Sequence, residues 1–390
     1  MDYHRLGERL RLAREQARLS QTDAARMLGL TPAAINQYES GKRRVDVLTF
    51  ERLARLYAVP LGYLFGEETE IPAWEEALHR QSEHLSAAGS AGIRQVIQKV
   101  RDLEDLYRRT GTEFPGVPHH PFSPLPDQPI SKGEIAAWAE RARRHYALDL
   151  APLPELREFL EAIGFNVFSI PFGAALNDIS GLFFLHPDLG PIMAINSDQN
   201  FRRRSFTLAH ELAHGLFHYD RPAILCRSVD ADPVERFAER FAAYFLVPGA
   251  SLAEWLSDQR IAKVMTPEDV VHLARYFGIS YKAMLRRLRE ERLLGSPEQQ
   301  FADVHPDVLA RALGYQVTAY EMDQQRPLPP EERLPRSFLT LAYRAIRGEQ
   351  LSLRRVAELL GMSDIELEEK LNPNRSEVDL SAEPDEVYAF

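Results

Sequence analysis

The sequence predicts a mainly α protein with one small β-sheet, arranged in four segments. These are an all-α unit at 1–66, a helical and proline-rich connector at 67–130, an α+β domain at 131–300, and a helical region with an acidic tail at 301–390. Three observations lead to that class. Apolar residues recur at spacings of three and four in 1–66, 91–110, 206–217, 234–248, 266–295 and 351–371, the period of an amphipathic helix. GLFFLHPDLGPIMAIN reads instead as two short strands, 181–186 and 191–196, around a Pro-Asp-Leu-Gly turn. Six prolines fall in the 19 residues of 112–130 and separate regular regions on either side.

Length and charge set further bounds. The 390 residues suit two or three domains with room for a core. The chain carries a net charge of −10, yet residues 1–66 hold 11 Lys/Arg against 7 Asp/Glu, so the basic charge sits in the first unit. A chain this acidic is not a general nucleic-acid coat. One cysteine, Cys226, excludes an internal disulfide framework and fits a reducing cytoplasm. No apolar run approaches the roughly 18 residues of a membrane span, and MDYHRLGERLRL lacks the apolar stretch of a signal peptide. The expectation is a soluble cytoplasmic protein with no membrane partner.

The first unit reads as five short helices. Leu6, Leu10 and Leu12 mark the first, Ser20 caps the second, Gly29 makes the turn, and Thr31 with Pro32 supplies an N-cap and first-turn proline for the third. Helix, tight turn, helix is the helix-turn-helix unit. The segment resembles the XRE family of phage-repressor-like DNA-binding domains over residues 5–66, through Gln21, the Ile35/Glu39 pair and Gly41-Lys42. The resemblance implies that the third helix enters the major groove of a double-stranded operator with its first residues facing base edges. Ala33, Asn36 and Gln37 are then the candidates for reading bases, and Gln21, Lys42, Arg43 and Arg44 for gripping phosphate.

The connector has two parts. In 91–110, Ile93, Val96, Val100, Leu103 and Tyr107 form a coiled-coil-like seam. It can pair two chains into a homodimer, which would set two recognition helices on adjacent half-sites, or pack against its own chain. The proline-rich 112–130 reads as an extended, semi-stiff spacer in which His119 and His120 are exposed and without chemistry.

The chemistry lies in FTLAHELAHGLFH, residues 206–218. His210 and His214 stand four apart, on one face of a helix, where two imidazoles can hold one zinc ion. Glu211 would face the open coordination position and act as general base toward water there. Phe206, Leu208, Ala209, Leu212, Ala213, Leu216 and Phe217 make the helix a buried one. A third ligand is needed. A third histidine at 220 is absent, since the chain has Phe217 and Asp220, and His218 lies about 12 Å from His210 along one straight helix. The acidic helix VERFAERFAAYFLVP remains, with Glu235 and Glu239 again on one side.

RRRSFTLAHELAHGLFH and ERFAERFAAYFLVP together resemble the ImmA/IrrE family of zinc metallopeptidases, over roughly residues 131–300. The resemblance implies a zincin-like fold and assigns the third ligand to Glu235; the family's usual Asn falls on Glu239. The hairpin at 181–196 reads either as a sheet edge beside the cleft, where a substrate peptide could add as a strand, or as a roof over the core. Cys226, between the metal motifs, reads first as a buried small hydrophobe and second as a redox-sensitive gate near the zinc.

Beyond the motifs, 266–295 predicts a helix pair broken at Gly278, similar to the helical tail that follows the peptidase core in that family. Residues 351–371 repeat a helix-turn-helix rhythm around Gly361, but Asp364, Glu366, Glu368 and Glu369 would repel phosphate. A protein-docking or dimerising surface is the preferred reading there, a core-packing pair the other. The terminal SEVDLSAEPDEVYAF reads as a mobile acidic tail.

Two functions of different classes follow. In the first, a DNA-binding transcriptional regulator carries a gluzincin-type zinc peptidase; ImmA/IrrE peptidases typically cleave XRE-type repressors under stress, so the resemblance implies a repressor- or antitoxin-like substrate, or the chain itself. In the second, a non-catalytic repressor or antitoxin uses the peptidase fold as a sensor or partner-binding module.

Overall fold

In the computed structural model, residues 3–17, 19–59, 61–66, 72–82, 85–153, 155–173, 179–199, 201–227, 232–258, 265–294, 299–316 and 328–371 are described. The expected acidic tail lies outside them. Five helices form the N-terminal unit: α1 (Tyr3–Gln16), α2 (Gln21–Leu28), α3 (Pro32–Glu39), α4 (Val47–Leu56) and α5 (Leu61–Phe65). Then come α6 (Ala73–Gln81), α7 (Ala87–Thr110), α8 (Lys132–His145) and α9 (Leu156–Ala162). Strands β1 (Asn166–Ile170), β2 (Ile179–His186) and β3 (Gly190–Asn196) lead into α10 (Phe201–Phe217), β4 (Ile224–Arg227) and α11 (Pro233–Leu246). The rest is helical: α12 (Gly249–Asp258), α13 (Pro267–Tyr276), α14 (Tyr281–Glu290), α15 (Gln299–Ala302), α16 (Pro306–Ala312), α17 (Pro330–Arg333), α18 (Arg336–Arg347), α19 (Leu353–Leu360) and α20 (Asp364–Leu371). The mainly α class with a small sheet is the one expected.

Local chemistry explains the ends of the first helices. Ser20 Oγ accepts from the Asp23 N–H at 3.0 Å and Thr31 Oγ1 from that of Ala34 at 3.2 Å, each satisfying an orphan donor. Gly29 closes α2 at φ 66°, a left-handed angle that favours glycine. Leu6, Leu10, Ala13, Ile35, Tyr38, Phe50, Leu53 and Leu64 share one core. Leu12 does not join it, being 46% exposed; Ala13 takes the inward place.

The sheet has the order β1-β3-β2-β4, with β1 parallel to β3 and the other pairs antiparallel. The expected hairpin is present as β2 and β3, but it is interior. It is not an edge, because β4 pairs along β2 and β1 along β3. Both faces are covered, so the strands are apolar on both sides. Val167, Phe183, Met193 and Ile195 face α10 and its neighbours. Phe168, Leu182, Phe184, Ile192 and Ala194 face a second layer built from α6, α7, α18 and α19.

That second layer decides between the two readings of the 91–110 seam. Ile93, Val96, Val100, Leu103 and Tyr107 are buried within the same chain, against the sheet and α18, so this seam is not a free dimer interface. Three-and-four spacing describes any helix with one covered stripe, whichever chain covers it. Nor is 112–130 a free spacer. Its Gly116 N–H donates to Asp188 O at 2.8 Å and its Leu125 N–H to Phe217 O at 2.8 Å. Phe122 enters the ring cluster of Trp138 and Phe217, and His120, far from being exposed, stacks on Tyr219 at 3.5 Å between centroids.

The α13/α14 pair broken at Gly278 is as expected. The α19/α20 pair is core-packing on one side: Val356, Ala357, Leu359 and Leu360 are buried, and Lys99 Nζ donates to Leu359 O at 2.5 Å. The four acidic residues of α20 face solvent. The N-terminal unit rests on α7, through Arg55 with Asp102 at 3.1 Å and Arg94 Nη1 donating to Ala17 O at 2.9 Å.

Candidate metal centre and nucleic-acid interface

Helix α10 runs between the sheet and α11, and two glycines set how close it lies. A Cβ at Gly215 would meet Phe165 at 2.5 Å, and one at Gly181 on β2 would meet Cδ of Glu211 at 2.9 Å. With neither Cβ present, Glu211 is brought up against β2. Helix α11 is started by Asp232, whose carboxylate accepts from the Glu235 N–H at 2.9 Å, and by Pro233 in its first turn. This places Glu235 opposite the two histidines of α10.

The three donors converge. His210 Nε2 lies 3.1 Å from His214 Nε2 and 3.1 Å from Glu235 Oε2, and His214 Nε2 lies 3.4 Å from Glu235 Oε1. Ligands about 2.0–2.1 Å from a tetrahedral zinc are themselves about 3.3–3.4 Å apart. The donor set therefore has the size and chemistry of a zinc site. Glu239, one turn on, points away and pairs with Arg286 of α14, while Asp220 is exposed.

Glu211 is fully buried, and neither carboxylate oxygen has a hydrogen-bond partner. Burial pushes its pKa up to about 8, since the charged form is poorly solvated. Burial pulls the other way on Glu235 too, but hydrogen bonds with His210 and His214 outweigh it and hold that carboxyl well below the usual range. An orphaned buried carboxylate beside three convergent donors is what a general base facing an ion requires.

His218 contributes in a manner the sequence did not reveal. Its ring is buried, and its Nδ1 lies 3.2 Å from Nδ1 of His214. Burial, with His214 nearby, lowers its pKa to about 3, so its ring is neutral. The tautomer in which His214 Nδ1–H donates to His218 is the one that leaves His214 Nε2 unprotonated toward the other donors. His218→Ala is expected to lower zinc affinity by roughly 10–100-fold, the usual effect of losing such a partner, without changing zinc stoichiometry at saturation. Equal affinities in a chelator competition would refute the orienting role.

On the N-terminal unit, Ala33, Asn36 and Gln37 are exposed on α3, and Lys42, Arg43 and Arg44 are exposed just beyond it. Arg43 lies over the Tyr38 ring at 5.3 Å and Arg44 over that of Tyr3 at 5.0 Å, which restrains both side chains. Gln21 is placed differently from the others. Its Nε2 donates to Glu39 Oε2 at 2.8 Å, and Glu39 is held by Arg14 at 2.6 and 3.0 Å. Gln21 thus joins α2 to α1 and α3 before any phosphate is considered.

Comparison with known proteins finds two separate family matches along the chain. Residues 10–64 match the helix-turn-helix family and residues 160–289 the IrrE N-terminal-like domain, a peptidase family. Over 109 residues the chain is 29% identical to the HTH-type transcriptional regulator ImmR of Bacillus subtilis (strain 168), spanning 28% of this chain and 78% of that protein. No helix among the described residues is long and apolar enough to cross a membrane. Along the chain, a segment that matches the helix-turn-helix family thus precedes one that matches the IrrE N-terminal-like domain.

Proposed function

We propose that the chain is a DNA-binding transcriptional regulator whose second domain is a zinc-dependent peptidase acting on a repressor- or antitoxin-like protein, or on the chain itself. The convergence of His210, His214 and Glu235 beside the unpartnered carboxylate of Glu211 carries this reading. His210 and His214, through Nε2, and Glu235 would hold the zinc. When bound, zinc supplies Lewis acidity that makes water a nucleophile at neutral pH and polarises a peptide carbonyl. Glu211 takes the proton of the attacking water at its carboxylate and returns it to the departing amine. The sheet rim beside these residues is formed by β4, and an extended substrate would be read there through its backbone.

Glu211→Gln is expected to keep one zinc per chain and to lose cleavage entirely. Native and denaturing mass spectra of wild type and variant, before and after incubation with a candidate repressor, give the test. Fragments from both proteins would point to a contaminating protease. Zinc without fragments from either would favour the second reading, a sensor or partner-binding module on a repressor; its fusion to a DNA-binding domain supports that reading, since a protease that frees a repressor need not itself hold an operator.

For DNA, the exposed Asn36 and Gln37 would each pair bidentately with a base, and replacing either by Ala is expected to cost about 1–3 kcal/mol of discrimination at one position. Loss of Lys42, Arg43 or Arg44 would weaken binding to all sequences and flatten its salt dependence. A homodimer would protect two half-sites one helical turn apart, and a footprint confined to one half-site would exclude it.

A further inference from the structure

Cys226 lies on β4, directly opposite Gly181 of β2, the residue against which Glu211 packs. It is buried, and its Sγ belongs with His210, His214 and Glu235 to a set whose donor atoms all lie within 4.8 Å of one another. Sγ is 3.6 Å from Glu235 Oε1. Across a tetrahedral zinc with bonds of about 2.3 Å to sulfur and about 2.0 Å to oxygen, the sulfur–oxygen distance is about 3.5 Å. The separation fits two ligands of one ion.

A second observation bears on the same spot. Glu211 is fully buried and packs against Gly181, directly opposite Cys226, so that its carboxyl and the thiol are neighbours. A cysteine serving only as a small hydrophobe would sit among apolar side chains; this one sits between two carboxylates and two imidazoles. Resting on the zinc reading above, we propose that Cys226 is a fourth protein ligand and that β4 is the strand that holds it in place. On ligation the thiol gives its proton to solvent and a sulfur–metal bond replaces S–H. Four protein ligands make a closed centre, with no position for water. A closed centre activates no water, so the sulfur–metal bond has to break before the chemistry proposed above can run.

Cobalt substitution in the full-length chain tests this without an activity assay. Cys226 is the only cysteine, so any thiolate-to-cobalt charge-transfer absorption must come from it. Wild type is expected to show that near-ultraviolet band together with visible bands of a four-coordinate ion. Cys226→Ser and Cys226→Ala are expected to bind one cobalt without the ultraviolet band, and to hold zinc about tenfold or more less tightly. One cobalt per wild-type chain, lost in His210→Ala but with no charge-transfer band, would overturn the fourth ligand and leave an open three-ligand centre. Failure of wild type to bind cobalt or zinc at all would overturn the metal reading itself.

Discussion

Replacing Glu235 by Ala is expected to abolish zinc retention, whereas Glu239→Ala leaves zinc at one per chain. The two glutamates sit on the same helix one turn apart, yet Glu235 reaches both imidazoles at 3.1 and 3.4 Å while Glu239 is committed to Arg286. Removing Glu235 takes away a proposed ligand and leaves His210 and His214 with facing nitrogens 3.1 Å apart and no carboxylate reaching both of them. The loss therefore exceeds the roughly 10–100-fold that an outer partner such as His218 is worth. Metal analysis after dialysis against a weak chelator separates the variants. Retention in Glu235→Ala and loss in Glu239→Ala would mean that α11 is shifted by about one turn, about 6 Å along its axis and about 40° around it, from the arrangement described.

The second large effect is expected at Arg14. Its guanidinium makes a two-pronged pair with Glu39 at 2.6 and 3.0 Å and donates to Leu19 O at 2.8 Å, with both side chains almost wholly out of water. Arg14→Ala strands the Glu39 carboxylate in the joint between α1, α2 and α3, where only Gln21 still donates to it. Breaking one side of such a pair costs about 3–5 kcal/mol, a large part of what a small domain possesses. The N-terminal unit should then melt in a separate, earlier transition and lose operator binding, with zinc content unchanged. Replacing Arg14 and Glu39 together by Met and Leu is expected to restore most of the stability, because no buried charge remains unpaired. An Arg14→Ala chain that melts and binds DNA like wild type would show that the pair contributes little.

What the sequence revealed and what it hid follow from the range of each interaction. Caps and turns such as Ser20, Gly29 and Thr31 are decided within a few residues, so the N-terminal helices could be read in order. His210, Glu211 and His214 were legible because one helix turn fixes their relation. The choice between Glu235 and Glu239 was not, since it depends on how α11 is rotated against α10 and on Arg286, 47 positions away. The run ILCR is too short for its period to show a strand, so β4 was hidden, although Cys226 near the metal motifs was one of two readings of that residue. His218 was judged on whether it could reach the zinc, when its contact is with the back of the His214 ring. For α7 the stripe was legible and its occupant was left between a second chain and this one: the stripe lies against the chain's own sheet.

The covering of that sheet also limits how the chain can be divided. Residues 160–289, which match the IrrE N-terminal-like domain, contain all four strands, but the layer over Phe168, Leu182, Phe184, Ile192 and Ala194 is supplied by α6 and α7 before them and by α18 and α19 after them. Cutting at the ends of the match would leave one side of a four-stranded sheet bare, a ready surface for self-association. The matched segment is thus smaller than the unit that covers its own sheet, and the flanking helices are scaffolding for that sheet as much as a bridge to the N-terminal unit.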